Sequence, residues 1–387
     1  MIYLDNAATT YPKPDSVYLA VSEAMREYGG NPGRSGHILS LAAGRIVEEA
    51  RLLLAQLFHI SKPEQIVFTM NTTEALNLAL KGVLSRGDHV ITGSMEHNSV
   101  ARPLEFLKTK GVEYSKVLTS PIEGIQISDI EAAIKQNTKL IVINHISNVT
   151  GTENPIAEIG RLCKKYGILF LVDAAQSAGI HPIDAQAMNI DFLAFPGHKG
   201  LMGPQGTGGL YIREGIDITP LKHGGTGSFS ELLVQPEQLP DRYESGTQNI
   251  PGLAGLAAGV RYITEQGIEY FQEKEARLAS RLINGLSEIK GVTVFGPPPG
   301  PTRSGVVSVK MGEMDVIEIS VILDNVFNIA VRAGLHCAPD AHATLGTLHT
   351  GGTLRISVGS FNTEEEIDFC ISALAQLSSE GSMKEVK

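Results

Sequence analysis

The sequence has few cysteines, no tryptophan and no long apolar run. Three cysteines in 387 residues exclude a disulfide scaffold and leave at least one thiol free. Their spacings do not match the short pairs that bind zinc, so we expect no metal site. Apolar stretches such as the one at 168–172 are far shorter than the roughly 18 residues that a membrane span needs. The N-terminus carries no signal-peptide pattern, and we expect a reduced, cytoplasmic, soluble protein.

Positive charge is also scarce. Lysine and arginine together number 32 against 42 acidic residues, which gives a net charge of −10. Nucleic acids and anionic membranes require a basic face, so we expect neither as a general partner, although local basic sites remain compatible with this charge. Glycine, in contrast, is abundant at 41 residues. Many glycines predict many sharp turns or close approaches of the backbone to a ligand.

The first two thirds of the chain alternate apolar runs with amphipathic stretches. We predict strands at 65–70, 89–94, 139–147, 168–174, 191–196 and 208–213, and helices at 73–84, 100–110 and 155–166. Strands that alternate with helices at this spacing predict an α/β fold with a doubly wound sheet. We place this large domain at residues 15–255.

The pattern changes after Pro251. A helical stretch is predicted over 252–288 with a break at Gly267, and strands and helices follow at 292–296, 306–311, 315–325, 328–334, 353–359 and 363–377. Strands that follow one another without regular crossover helices favour a mixed or antiparallel sheet. We therefore predict a smaller α+β domain, made of residues 1–14 and 256–387.

A lysine and an aspartate follow apolar strands of the large domain. Lys199 is flanked by Gly197 and Gly200, which would leave room for a bulky group on its amine, and a lysine held in a pocket can form a Schiff base. Asp173 ends a strand at the sheet edge where open α/β sheets bind ligands. A solvated lysine and a helix cap are the simpler interpretations. Together, however, the two residues match a pyridoxal-phosphate site, which needs a lysine and an acidic partner for the ring nitrogen.

Two further segments could bind anions. Thr72 and Thr73 lie where a strand turns into a helix, and free amides at a helix N-terminus bind phosphate. For this segment alone, capping by Thr72 with Glu74 nearby is the interpretation that we favour. Arg355 lies inside an apolar strand, where it requires an anion. A substrate carboxylate and an internal salt bridge are both open as its partner.

The three cysteines differ in their surroundings. Cys163 and Cys370 lie in helical apolar patterns, and we expect both to be buried. Cys337 lies in a turn-rich segment, which makes it the candidate nucleophile. His336 and Arg332 would lower the pKa of its thiol if they point towards the sulfur.

The chain resembles the class V aminotransferase-fold pyridoxal-phosphate enzymes, and among them the cysteine desulfurase (NifS-like) group that includes selenocysteine lyases. The matching motifs are YLDNAATT at 3–10, NTTEALN at 71–77, MEHNS at 95–99, ISNVTGT at 146–152, DAAQ at 173–176, GHKG at 197–200, ESGTQN at 244–249, RAGLHCAP at 332–339 and LRIS at 354–357. The resemblance spans nearly the whole chain. It implies the type I fold of these transferases, with pyridoxal 5′-phosphate as cofactor.

The resemblance also implies roles for single residues. Lys199 would bind the cofactor covalently and move the substrate α-proton, with His198 supporting it or the phosphate. Asp173 would pair with the pyridinium nitrogen, and Gln176 would hydrogen-bond the ring hydroxyl. His97 would stack on the ring and act as an acid/base group.

The phosphate and the substrate would be bound by other residues of these motifs. Thr72 and Thr73 would hold the phosphate, and Thr247 would reach the phosphate of a neighbouring subunit, which implies a homodimer with shared active sites. Asn148 and Arg355 would hold the substrate carboxylate.

The implied reaction converts L-cysteine to L-alanine and leaves the sulfur on Cys337 as a persulfide, from which an acceptor protein or a small thiol takes it. The short interval to Arg355 resembles the family's shorter and more ordered cysteine loop. The alternatives are a selenocysteine lyase acting on L-selenocysteine, or an aminotransferase or sulfinate lyase in which Cys337 is not essential. One position departs from the family pattern: Pro196 replaces a serine or histidine that commonly helps to bind phosphate.

Overall fold

Apolar runs between residues 66 and 212 form one mixed sheet of seven strands. The structure, a computed structural model, describes residues 1–32 and 36–384. The predicted strands and helices of this region are confirmed, with small differences in their bounds. The elements are β1 Ile2–Tyr3, α1 Asp15–Glu27, α2 Ile38–Leu57, β2 Ile66–Thr69, α3 Thr72–Val83, β3 His89–Gly93, α4 Asn98–Lys108, β4 Glu113–Val117, β5 Thr119–Ser120, β6 Gly124–Ile125, α5 Ile127–Ala132, β7 Thr138–Asn144, α6 Ile156–Tyr166, β8 Leu169–Asp173, β9 Phe192–Pro196 and β10 Gly208–Ile212.

The strand order of this sheet is β2-β10-β9-β8-β7-β3-β4, and β10 alone runs antiparallel to both of its neighbours. Strands β9 and β10 are joined by residues 197–207, which contain no helix. A parallel connection needs a crossover of a dozen or more residues, usually helical, so this short link returns the chain antiparallel. The link contains Lys199, which is thereby held at the end of β9.

The carboxyl ends of three parallel strands meet at one edge of the sheet. Asn144 at the end of β7 pairs with Asp173 at the end of β8, and Asp173 pairs with Ala194 in β9. Ligands of open α/β sheets bind at this edge. The register therefore brings the segments that follow these three strands together.

The rest of the chain forms long helices and a second sheet of four antiparallel strands in the order β11-β12-β15-β14. The predicted break at Gly267 is confirmed, and it separates two helices. The last helix continues beyond the predicted residue 377. The elements are α7 Ile250–Gln266, α8 Ile268–Ser287, β11 Val292–Phe295, β12 Val306–Met311, α9 Val316–Phe327, β13 Ile329–Ala330, β14 Arg332–Gly334, α10 Pro339–Leu345, β15 Thr353–Ser357 and α11 Glu364–Lys384.

The single strand predicted at 328–334 is wrong, because this segment forms two short strands in different sheets. Ile329 and Ala330 pair in parallel with β1, at the start of the chain, whereas β14 pairs with β15. The local pattern of apolar residues does not reveal this change of partner, because the partners of both strands are distant in sequence.

Three large clusters of buried residues pack on the two sheets. Two of them include residues of the seven-stranded sheet, and one of these also includes residues of α7, such as Leu256 and Val260. The third packs the four-stranded sheet against α8, α9 and α11, and it includes Leu4 from the N-terminal segment. On this basis we propose two domains, with the first residues of the chain belonging to the smaller one. None of the described helices is long and apolar enough to cross a lipid bilayer.

Candidate active site

A pocket at the carboxyl edge of the large sheet collects most of the predicted site residues. It lies between the ends of β7, β8 and β9 and the N-terminal ends of α3 and α4. The lining includes Asn71, Thr72, Thr73, His97, Ser99, Asn144, Asn148, Asp173, Gln176, Pro196, His198 and Lys199. Three predicted residues do not line this pocket. Cys337 lies beside an adjoining groove that shares three lining residues with it, Thr247 lies beside a separate cavity, and Arg355 is buried.

Lys199 has the electrostatic properties of a reactive amine. Burial, together with the nearby charge of Arg355, lowers the pKa of its amine to about 8, while Asp173 opposes this shift. Desolvation disfavours the charged ammonium form, so a large fraction of the molecules carries a neutral Lys199 amine at a pH slightly above neutral. A neutral amine can act as a nucleophile or take up a proton.

The glycines around Lys199 are required by the packing of the loop. A Cβ atom on Gly197 would lie 2.1 Å from the hydroxyl of Thr207, and one on Gly200 would lie 2.5 Å from the carbonyl oxygen of Ala178. Side chains at these positions would displace the loop that carries the lysine. Room for a bulky group on the amine stays a prediction.

Asp173 is an almost fully buried carboxyl group, 3% exposed, at the end of β8. Burial raises the pKa of this group to about 6, against the opposing effects of the Ala175 N–H and of Lys199. The Ala175 N–H donates to Oδ1 over 2.9 Å. A buried carboxylate with so few donors favours a cationic partner, as a protonated ring nitrogen would provide.

The N-terminus of α3 is capped by Asn71, whose Oδ1 accepts a hydrogen bond of 3.0 Å from the Glu74 N–H. Capping by Thr72 is therefore wrong, because Thr72 is already the first helical residue. The buried Oγ1 of Thr72 has no hydrogen-bond partner in the described part of the chain. Its neighbour Thr73 shares a hydrogen bond of 2.7 Å with Ser99. A buried hydroxyl without a partner at a helix N-terminus fits an anionic group such as a phosphate.

His97 is held in the neutral form at the start of α4. Its Nδ1 accepts a hydrogen bond of 3.0 Å from the Ser99 N–H, which leaves the ring proton on Nε2. Burial, together with the charges of Lys199 and Arg355, lowers the pKa of His97 to about 4. A neutral ring at the wall of the pocket can stack on a planar ligand.

Arg355 is buried, 2% exposed, and forms the internal ion pair that the sequence left open. Its Nη2 donates to Oδ1 of Asp5 over 2.8 Å, and its Nη1 donates to the carbonyl oxygen of Asn148 over 3.2 Å. Its Nε and the Oδ1 of Asn148 have no hydrogen-bond partner among residues 1–32 and 36–384. The buried Nε donor of the guanidinium is thus available to a ligand. Sequence reasoning missed Asp5, although it lies in the quoted N-terminal motif.

The three cysteines are free, and their surroundings agree with the prediction: Cys163 and Cys370 are buried and Cys337 is exposed. Burial raises the pKa of the Cys370 thiol to about 12 and that of Cys163 further still. Both are inert under ordinary conditions.

One of the two groups considered as activators of Cys337 faces its sulfur. Nη2 of Arg332 lies 3.9 Å from Sγ. His336 is instead buried, with Nε2 within 3.1 Å of the Thr353 carbonyl oxygen, and burial strongly lowers its pKa. Of the two groups, Arg332 is therefore the one that lies beside the Cys337 sulfur.

The carbonyl group before Lys199 has three donors that sequence reasoning missed. Nζ of Lys13 donates to the His198 oxygen over 2.7 Å, and the Thr9 hydroxyl and the Thr10 N–H both donate to it over 3.1 Å. Burial lowers the pKa of Lys13 to about 8. The N-terminal segment thereby fixes the peptide that precedes Lys199.

The remaining predicted residues are also held by contacts within the chain. Gln176 donates from Nε2 to the Ala7 carbonyl oxygen over 3.1 Å. His198 contacts Thr9 through Nδ1, and burial lowers its pKa to about 4. Thr247 lines a cavity together with the buried Arg51–Glu244 ion pair and does not reach the pocket of its own chain. No three His, Cys, Asp or Glu residues in the described ranges are arranged to hold a metal.

Comparisons with known proteins agree with this geometry. The model of the family "Aminotransferase class-V" matches residues 2–369. A relative from Methanothermobacter thermautotrophicus, named "Probable cysteine desulfurase", is 38% identical over 98% of this chain and 95% of its own length. The "Cysteine desulfurase" of Salmonella dublin is 32% identical over 97% of this chain and 93% of its own.

A solved structure is similar over the same length. The apo structure of the cysteine desulfurase from Thermococcus onnurineus matches with a TM-score of 0.92 at 37% identity, covering 98% of this chain and 95% of that one. Fold, sequence and the lysine–aspartate pocket all agree, and the chain belongs to the class V aminotransferase family of pyridoxal-phosphate enzymes.

Proposed function

We propose that this protein is a cysteine desulfurase, which converts L-cysteine to L-alanine and keeps the sulfur on Cys337 as a persulfide. The observation that carries the proposal is the exposed Cys337, with the Arg332 guanidinium beside its sulfur, at a groove that adjoins the Lys199 pocket. The named relatives support the same reaction. A transaminase would have no use for a thiol in this place.

The pocket residues fit pyridoxal 5′-phosphate. Lys199 offers an amine with a lowered pKa, Asp173 a buried carboxylate for the ring nitrogen, and Thr72 an unpartnered hydroxyl at a helix N-terminus. Gln176, His97, Thr73 and His198 would complete the binding site. The bound cofactor supplies an electron sink for the charge that remains when the substrate loses its α-proton.

The chain's own residues would then divide the work. Nζ of Lys199, neutral above about pH 8, takes the α-proton of the substrate and returns it to a neighbouring atom. Asp173 keeps a negative charge opposite the ring nitrogen. Asn148 and Arg355 would hold the substrate carboxylate, and Arg355 keeps an unused Nε donor for this purpose within the described structure.

In the second half of the reaction, the substrate sulfur passes to the thiol of Cys337. L-cysteine and the Cys337 thiol give L-alanine and the Cys337 persulfide, so one carbon–sulfur bond breaks and one sulfur–sulfur bond forms. The Arg332 guanidinium lies 3.9 Å from the Cys337 sulfur, so a positive group faces the atom that attacks. An acceptor thiol, on a protein or a small molecule, must then remove the sulfur.

We also propose a homodimer in which Thr247 contacts the phosphate of the neighbouring subunit. Thr247 does not line the pocket of its own chain. Helices α1 and α2 expose apolar side chains that a second subunit would cover, among them Leu19 at 68% and Ile38 at 83% exposure.

We also propose that the protein works in the cytoplasm, because its exposed free thiol suits a reducing compartment.

Pro196 offers no donor to the phosphate, and we propose that Ser99 replaces the missing contact. Ser99 lines the same pocket, and its Oγ lies 2.7 Å from the Thr73 hydroxyl. The Ser99 hydroxyl on α4 would therefore donate the hydrogen bond to the phosphate that Pro196 on β9 cannot donate.

Mass spectrometry of Cys337 after incubation with L-cysteine tests the proposal. We expect one additional sulfur atom on Cys337 and alanine in solution. Cys337→Ser should lose alanine formation while it keeps the cofactor absorbance, and Cys163→Ala serves as the matched control. Undiminished alanine and sulfide formation by Cys337→Ser would refute the role of this thiol, and equal turnover of a keto acid would indicate an aminotransferase.

A further inference from the structure

A groove beside Cys337 is lined by cations and contains no carboxylate. Its walls come from the end of α3 and the outer face of α4, and its floor shares Thr73, His97 and Ser99 with the Lys199 pocket. The other lining residues are Asn77, Lys81, Asn98, Arg102, Pro103, Phe106 and Cys337. The groove thus connects the site of sulfur removal with the protein surface.

The cations of this groove are not neutralised. Lys81 and Arg102 are exposed, and neither forms an ion pair within the described ranges. Lys81 and Lys110 place their ammonium groups 5.0 and 5.6 Å from the centre of the Phe106 ring. Phe106 itself is 48% exposed, so the groove combines positive charge with an apolar surface.

The carboxylates on neighbouring segments already have other partners. Glu105 accepts a hydrogen bond from the Tyr114 hydroxyl, and Asp340 pairs with Lys116 over 2.6 Å. Glu74 pairs with Lys222 over 2.7 Å. These acids leave the cations of the groove available for a ligand.

The positive groove contrasts with the chain as a whole, whose net charge is −10. An acidic molecule is repelled by most of such a surface and attracted where cations cluster, which directs its approach to one place. Arg332 adds a further positive group next to the sulfur of Cys337. The charge pattern therefore guides an anionic partner to the reactive thiol.

We propose that this groove docks an acidic segment of a sulfur-accepting protein and presents the thiol of that segment to Cys337. The proposal rests on the proposed function, because it needs a persulfide on Cys337. Lys81 and Lys110 place their ammonium groups near the exposed ring of Phe106, and Arg102 lines the same groove as Lys81 and Phe106. A chain segment with several carboxylates and an apolar side chain matches this combination better than a small thiol does.

The transfer is balanced without an oxidant or a reductant. The acceptor thiolate attacks the outer sulfur of the Cys337 persulfide, a new sulfur–sulfur bond forms, and the bond to Cys337 breaks. Cys337 leaves as a thiolate beside Arg332 and takes up the proton that the acceptor thiol has lost. The products are the Cys337 thiol and an acceptor persulfide.

Two synthetic peptides test the charge preference. The holoenzyme is first loaded with persulfide by L-cysteine, and its loss from Cys337 is then followed by mass spectrometry in the presence of GEEFCEEG or GKKFCKKG. We expect the acidic peptide to remove sulfur about ten-fold faster at low salt, and the difference to shrink as salt screens the charges. Equal rates for the two peptides would overturn the proposal.

Charge reversal locates the effect in the groove. In a variant with both Lys81→Glu and Arg102→Glu, the preference should invert towards the basic peptide. The matched control carries Lys164→Glu and Lys290→Glu, which change the net charge equally at exposed lysines outside the groove. An equal change in the control would show that net charge and not the groove decides, and the proposal would fail.

A binding measurement separates this inference from the proposed function. Fluorescence anisotropy measures the binding of a labelled acidic peptide in which serine replaces cysteine, and this binding needs no persulfide. The Kd of the peptide should be about ten-fold higher for the Lys81→Glu, Arg102→Glu variant than for the parent. An enzyme that forms no persulfide but shows this rise would refute the proposed function alone. If mercaptosuccinate shows the charge dependence and the peptides do not, the occupant is a small thiol and the docking proposal is wrong.

Discussion

A buried lysine in the pocket destabilises the fold as long as it carries its proton. Burial lowers the pKa of Lys199 to about 8, whereas a lysine in an unfolded chain titrates near 10.4. The unfolded chain therefore binds the proton more tightly, and stability rises with pH between these two values. We predict that Lys199→Met, which keeps the length of the side chain without its charge, is more stable than the parent near neutral pH.

The size of the effect follows from the shift of the Lys199 pKa from its ordinary value of 10.5 to about 8 in the folded protein. At roughly 1.4 kcal/mol for each pKa unit, this shift lowers the free energy of unfolding of the parent by about 3 kcal/mol near pH 7 and by less than about 1 kcal/mol near pH 10. Part of the stability that Lys199→Met gains is lost again at Asp173, because the pKa of this buried carboxyl group rises when the lysine charge is removed. The advantage of the variant should thus be largest near neutral pH and shrink as pH rises.

Urea unfolding of the two proteins, freed of bound cofactor and followed by circular dichroism, measures this difference at several pH values. Lys164→Met, a change at an exposed lysine, should show no such pH dependence. A difference between parent and variant that stays constant from about pH 7 to pH 10 would refute the reasoning. So would a Lys199→Met protein that is less stable than the parent near neutral pH.

Two further predictions concern the binding and positioning of the cofactor. Thr72→Val removes a buried hydroxyl that has no partner in the described structure, so the free energy of unfolding of the cofactor-free protein should stay unchanged or increase. The Kd for the cofactor should rise about ten-fold, which a fluorescence titration measures. Lys13→Met removes one of the donors to the His198 carbonyl group, so kcat should fall about ten-fold with little change in KM, and Lys13→Arg should restore most of it; a change in KM alone would contradict a positioning role.

Much of the fold could be predicted because its signals are local. Strands such as β7 and β8 are continuous apolar runs, and the break at Gly267 lies between two helical patterns. The sites at the ends of these strands follow from the rule that parallel strands share a carboxyl edge. Asp173 and Lys199 could therefore be placed together from the sequence.

Other features depend on contacts between distant residues. Thr72 was assigned the cap that Asn71 provides, because a cap position shifts by one residue without changing the pattern. His336 is adjacent to Cys337 in sequence, yet its ring faces Thr353 in the interior. Lys13 shows no local pattern at all, since its partner is the carbonyl group of His198, 185 residues away.

The N-terminal segment also determines when the site can form during synthesis. Asp5 and Arg355, which are 350 residues apart, form an ion pair, and the backbone N–H and the side-chain amide of Asn6 both donate hydrogen bonds to the Ser357 carbonyl oxygen. The ribosome makes Arg355 and Ser357 long after Asp5 and Asn6, and contacts of such long sequence separation form slowly. The donors to the His198 carbonyl group all precede it in the chain, so the lysine loop can be fixed before Arg355 reaches its carboxylate partner Asp5.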